Sequence, residues 1–178
     1  MAKVFIGIDP GLSGYIVVLE SKHDVWSADP FPVIHVVTSR KTKGRVPNIP
    51  GLCHLIKRVR VNFRGCQIVA GVERVGPMPG SSKAMFHFGG AYFSVQAVLS
   101  YATIPYELVE PKVWLKHFGL QKTNKEKSLL KAGQLFPAVD LSLKQHLDKA
   151  EGLLIARYVA DMHEAAFQKA IVMNRREV

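Results

Sequence analysis

Residues 3–20 read KVFIGIDPGLSGYIVVLE. The segment 3–9 is a mostly apolar run closed by Asp9, the pattern of a buried strand. Pro10, Gly11, Ser13 and Gly14 punctuate the chain as a turn. Residues 15–20 resume as a second strand, so 3–20 reads as a hairpin. Working outward, a third strand is expected at 33–38 (VIHVVT), followed by a basic loop at about 39–50 that holds Gly44, Pro47 and Pro50. Leu52, Leu55, Ile56 and Val59 recur at helical spacing over 51–62, and 67–73 (QIVAGVE) is a fourth strand ending in an acid. A Gly-, Pro- and Ser-rich loop over 74–82 leads into a helix at 83–101, with Ser81 or Ser82 as its cap. A fifth strand follows at 105–109, then a short helix at 111–118 with Pro111 at its first position. Thr123 or Asn124 opens a helix to 135, with Glu126 placed as in a capping box. The last helix spans about 144–170, and the tail after Met173 is expected to fray. The order of elements specifies an α/β layered domain with a mixed sheet, and no repeat or linker divides residues 1–178.

Composition narrows the classes of function. The chain has 178 residues and is 48% hydrophobic, which supports a buried core and excludes wholesale disorder. No apolar run reaches the roughly 18 residues of a membrane helix, and the interrupted N-terminal stretch lacks the features of a signal peptide. Cys53 and Cys66 lack CxxC spacing, which argues against a disulfide framework or zinc site and fits a reducing compartment. With 24 Lys and Arg against 14 Asp and Glu, the net charge is +10, which points to a polyanionic partner, nucleic acid being the commonest. No acid occurs between Asp29 and Glu73, a span holding Arg40, Lys41, Lys43, Arg45, Lys57, Arg58, Arg60 and Arg64. A second basic stretch carries Lys112, Lys116, Lys122, Lys125, Lys127 and Lys131. Two such runs favour phosphate contacts, which supply affinity without sequence information.

Four acids sit where chemistry is expected. Asp9 and Glu73 each close an apolar strand, and Asp148 and Glu151 are spaced i, i+3 on one helical face. Each has a structural reading. Asp9 suits a DPG turn, Glu73 suits pairing with Arg74 or a surface Lys, and Asp148 and Glu151 suit a helix dipole. If the four converge, they repel one another unless a cation neutralises them, and hard divalent ions prefer such oxygen ligands. Two ions held in this way suit phosphodiester hydrolysis.

The segments GIDPGLSG (7–14), VAGVE (69–73) and HLDKAEGLLIA (146–156), in this order, resemble the RuvC-type Holliday junction resolvases of the RNase H-like superfamily. The segment EPKVWLKHFGL (110–120) resembles their bacteriophage and organellar branch. The resemblance covers roughly residues 3 to 160. It implies an RNase H-like fold, a five-stranded mixed sheet with helices on both faces. It also implies a homodimer that cuts four-way DNA junctions by paired symmetric nicks with two Mg²⁺ ions per site, Mn²⁺ substituting. Asp9, Glu73, Asp148 and Glu151 match the family's metal-binding carboxylates, with His146 as the alternative to Asp148. The family often has Asp where this chain has Glu151. Lys116 matches best the lysine that the family places near the scissile phosphate. The bacterial or phage-infected cytoplasm is the expected compartment, an organelle fitting if a transit peptide is removed.

Candidate DNA contacts are Arg40, Lys41, Lys43, Arg45, Met78, Ser81, Lys83, Lys112, Lys122 and Lys125. Gly89 and Gly90 interrupt a helical pattern beside Phe86, Phe88, Tyr92 and Phe93, which suggests close approach across a dimer interface or a helix break. Trp26, Trp114, His117 and His163 read as packing, structural or surface residues. The competing functions are an RNase H-like nuclease acting on RNA or other branched DNA, and a non-catalytic junction-binding protein.

Overall fold

β1 (Lys3–Ile8), β2 (Tyr15–Leu19) and β3 (Val25–Pro30) form an antiparallel meander, Phe5 facing Leu19 and Val17 facing Ala28. The structure is a computed structural model and describes residues 2–37, 43–74, 76, 82–122 and 125–174, without the side chains of Lys43, Lys83, Ala84, Lys125, Lys144 and 167–174. Arg40, Lys41, Met78, Ser81, the two helix-opening candidates Thr123 and Asn124, and the tail beyond 174 lie outside the described residues.

β4 (Val33–Val37) and β5 (Lys43–Pro47) pair as a separate two-stranded ribbon, His35 opposite Arg45. Two expectations are corrected here. The third strand of the main sheet is β3, not 33–38, and part of the expected 39–50 loop is strand. Ser27, Asp29 and Pro30 weaken the strand signal of β3, while a two-stranded ribbon accommodates the Gly44 and Pro47 that read as loop.

α1 (Ile49–Asn62) starts at Asn48, whose side chain accepts from the Gly51 N–H at 3.0 Å. β6 (Gln67–Glu73) then enters the main sheet parallel to β1, in register from Lys3–Gln67 to Ile8–Val72. α2 (Ser82–Tyr101) crosses to β7 (Tyr106–Val109), parallel to β6 at the sheet edge. α3 (Pro111–His117), α4 (Lys125–Leu135) and, after a 3₁₀ turn at Lys144–His146, α5 (Leu147–Asn174) complete the chain. The sheet order β3-β2-β1-β6-β7 is mixed, and the fold is α/β as expected.

Strand alternation builds two cores. Val4, Ile6 and Ile8 face α1 and α2, packing with Leu52, Ile56, Val95 and Leu99. Phe5, Val17 and Val69 face the other way, against Trp114 of α3, Phe136 after α4, and Leu153, Leu154 and Val159 of α5. Helices therefore cover both faces. β1, β6 and β7 all end at one edge of the sheet, and α1, α2, α3 and α5 all begin there. That edge gathers four positive helix ends. α2 is continuous through Gly89 and Gly90, so no helix break occurs. No helix of the described residues is long and apolar enough to cross a membrane.

Candidate active site

Asp9 follows β1 directly and is 8% exposed. Its N–H donates to the Tyr15 carbonyl at 3.0 Å, and its Oδ1 accepts from the Gly11 N–H at 3.1 Å. The side chain thus closes an Asx turn, the structural reading of DPG, while remaining at the sheet edge. Gly14 lies so close to the Asp9 carbonyl that a Cβ there would collide with it.

α5 brings the second and third carboxylates. Gly7 of β1 has no room for a Cβ, which would run into the Ala156 N and Gly152 carbonyl of the helix backbone. At Gly152, a Cβ would stand 3.1 Å from Val17 Cγ2 and 3.3 Å from Tyr15 Cβ. These two glycines let helix and sheet approach backbone to backbone, with the first turns of α5 beside the end of β1. Carboxylate oxygens of Asp9, Asp148 and Glu151 consequently all lie within 4.8 Å of one another. The donor set is oxygen only, from one buried and two half-buried acids, and suits a hard divalent cation better than zinc.

Glu73 stands one step beyond the Ile8–Val72 pair, next to Asp9 across the parallel ladder. Its carboxylate is outside the group of three. Oε1 accepts from the Trp114 indole N–H at 3.0 Å. Trp114 is 2% exposed, so this bond also satisfies a buried donor. Reading Trp114 as packing alone missed this. A buried tryptophan needs an acceptor, but nothing in the spacing of 73 and 114 names it. His146 lines a groove with Asp148, Leu12, Tyr15, Phe31 and Arg45, and is not one of the three clustered ligands.

The basic candidates separate. Arg45 stands at the mouth of that groove, its Nη1 donating to the Leu12 carbonyl at 3.3 Å. Lys112 Nζ is 2.6 Å from Glu110 Oε2, while Arg74 Nη1 is 3.1 Å from Oε1 of the same carboxylate. The Lys112 hydrogen bond and charge, then Arg74, hold the Glu110 carboxyl below its usual range. Lys116 is exposed, two positions and so about 200° around α3 from the buried Trp114. Lys122 is exposed with φ of 57°. Lys43, Lys83 and Lys125 have described backbones on β5, α2 and α4 only. The first basic run does not form one surface. Arg45 is at the edge with the carboxylates, whereas Lys57, Arg60 and Arg64 follow α1 toward the opposite end, where β6 begins. Trp26 packs on Phe63 with ring centroids 5.2 Å apart, and His163 on Phe5 at 6.1 Å.

No family model matches the chain, and no curated protein matches it. Solved structures do. RuvC of Thermus thermophilus in complex with Holliday junction substrate aligns over 86% of this chain and 90% of that chain, with a TM-score of 0.53 and 16% identity. A second Thermus thermophilus RuvC structure aligns over 86% and 91%, with a TM-score of 0.55 and 18% identity. At such identities the likeness is one of fold, and the fold is the RNase H-like fold of RuvC.

Proposed function

We propose that this protein is a metal-dependent endodeoxyribonuclease that resolves four-way DNA junctions by paired symmetric nicks. The observation that carries the reading is the convergence of Asp9, Asp148 and Glu151 at the sheet edge of a RuvC-like fold. A Thermus thermophilus RuvC of that fold is known in complex with a Holliday junction substrate.

Asp9, Asp148 and Glu151 would hold the divalent cation, Mg²⁺ or Mn²⁺, with Glu73 beside them for a second ion. Such ions, when bound, supply an activated water and charge stabilisation at the scissile phosphate. The residues themselves do the positioning. The Gly11 N–H fixes the Asp9 carboxylate, and Trp114 fixes that of Glu73. Arg45 and the converging helix N-termini favour an anionic backbone at the same edge. The resemblance alone assigns Lys116 to the phosphate, since on α3 it lies about 200° from the Trp114 that contacts Glu73.

The junction's two-fold symmetry calls for a two-fold protein. α2 offers the surface for a second copy: Phe86, Gly90, Phe93 and Ala97 are all exposed and fall on one stripe at i, i+4, i+7 and i+11. Phe86 and Phe93 are 80% and 67% exposed, a patch that asks for a partner. The open space around Gly89 and Gly90 leaves room for a second helix there.

The test is a panel of labelled substrates with Mg²⁺: a four-way junction, a linear duplex, a three-way fork and an RNA–DNA hybrid. The reading expects paired nicks in the junction alone. Cleavage of the hybrid or fork in preference would replace it with another RNase H-like nuclease, and binding without any cut would make it a junction-binding protein.

A further inference from the structure

Toward the end of the sheet opposite the carboxylates, α1 and the C-terminal end of α2 enclose a groove lined by Cys53, Ile56, Val61, Val98, Tyr101 and Ala102. Its volume is about 440 Å³, enough for several side chains. Val61 is 51% and Tyr101 89% exposed along it. Lys57, Arg60 and Arg64 also line the groove. Arg60 is anchored: its Nη1 donates to the Ala102 carbonyl and to Thr103 Oγ1, the latter at 2.8 Å. That fixes one guanidinium at the end of α2, with its other N–H groups still available to a ligand. A second depression shares Arg60 and Arg64 and continues past Gly65 to Pro105.

Among the described residues Lys57, Arg60 and Arg64 have no acidic partner, Asp29 pairing with Arg58 of the same helix at 2.6 Å instead. Neither α1 nor α2 contains an acid.

We infer that this groove is a docking site for an acidic, amphipathic peptide segment of a partner protein. The apolar lining takes the partner's hydrophobic side chains, and Lys57, Arg60 and Arg64 pair with its carboxylates. Charge complementarity selects this occupant. A second copy related by a two-fold axis would bring its own basic residues against these, a like-charge contact. A nucleic-acid backbone would match the cations but leave the apolar lining unused, and the groove lies about one strand length from the candidate active site.

The probe is a fluorescein-labelled peptide of five aspartates followed by Leu-Phe-Leu-Phe, titrated with the full chain by fluorescence anisotropy in the absence of DNA. Its control replaces the aspartates with asparagines. The expected result is saturable binding to the acidic peptide and at least tenfold weaker binding to the control. Arg64→Glu reverses a charge beside the groove, and Cys53→Trp fills it from an exposed position. Each is expected to weaken binding at least tenfold while the Tm, the sedimentation of the protein and its affinity for a four-way DNA junction stay unchanged. Equal binding of both peptides, no binding up to 1 mM, or binding unaffected by both variants overturns the proposal. Loss of self-association in the variants would assign the groove to a second copy, and loss of junction affinity would assign it to DNA. Because peptide binding is read without DNA, this proposal and the nuclease reading fail separately.

Discussion

Asp9 is held from two directions, by its own N–H on the Tyr15 carbonyl and by the Gly11 N–H on its carboxylate. Asp9→Asn preserves that geometry and removes the charge. It is expected to lower junction cleavage by on the order of 10³-fold while the protein still binds the junction. Trp114→Phe keeps an aromatic ring in the core but deletes the donor to Glu73. Its expected effect is about a 10- to 100-fold loss in kcat, as for a supporting partner of a metal ligand, beside a lowered Tm from the cavity that the smaller ring leaves. Comparing kcat with the far-UV melt separates this from unfolding. Much of the site was legible at this scale. Asp9, Asp148 and Glu151 stood out because acids at the ends of apolar elements are few, and the i, i+3 spacing set two of them on one face. The Trp114–Glu73 bond was not legible, since 41 residues of sequence separate its partners and only the packing of α3 on the sheet joins them.

At the scale of elements, the contact of α5 with β1 sets the distances between carboxylates. Gly7 faces the α5 backbone without room for a methyl group. Gly7→Ala must push the helix outward, which is expected to cost about 1–3 kcal/mol as overpacking does. Cleavage should fall more than stability explains, because Asp148 and Glu151 move away from Asp9. Urea melts beside single-turnover rates in Mg²⁺ would show it. The strands that escaped sequence reading, β3 and β5, are those whose identity comes from pairing rather than from alternation. VWSADP has a mixed surface and is recruited by β2 through a register shift between Val18 and Leu19. KGRVP is strand only because β4 lies beside it. The strands β1, β2 and β6 were legible because burial on both faces demands continuous apolar runs.

Asp161 links α5 to α3: its carboxylate bonds His117 at 3.0 Å and Arg157 at 2.9 Å. Burial pushes its pKa up, but the hydrogen bonds and charges of His117 and Arg157 outweigh this and leave it below the usual aspartate value. A carboxyl depressed on folding stabilises the protein above the unfolded pKa, about 3.9, and this stability is lost as pH falls through the folded value. Asp161→Asn is therefore expected to cost about 0.5 kcal/mol near neutral pH, the scale of a solvent-accessible pair. The difference from wild type should vanish in strong acid, as read from Tm against pH.

For the whole molecule, the charged side chains divide between two ends of one sheet. The carboxylates and Arg45 occupy the edge where β1 and β6 end. Lys57, Arg60 and Arg64 occupy the other. Junction affinity is expected to fall by at least about 10³-fold between 50 and 200 mM salt, the response of a protein making six or more phosphate contacts. A flat salt dependence, measured by anisotropy of a labelled junction, would show that the surplus charge serves another partner.

In the proposed function, Asp9, Asp148 and Glu151 form a cation site that cuts four-way junctions. The most direct test is cleavage of an end-labelled four-way junction by wild type, Asp9→Asn and Asp148→Asn, with Mg²⁺ and with EDTA. Symmetric paired nicks from the wild type with Mg²⁺ alone, absent from both variants although they bind the junction, is the expected result. Undiminished nicking by either variant, or nicking in EDTA, would contradict that function.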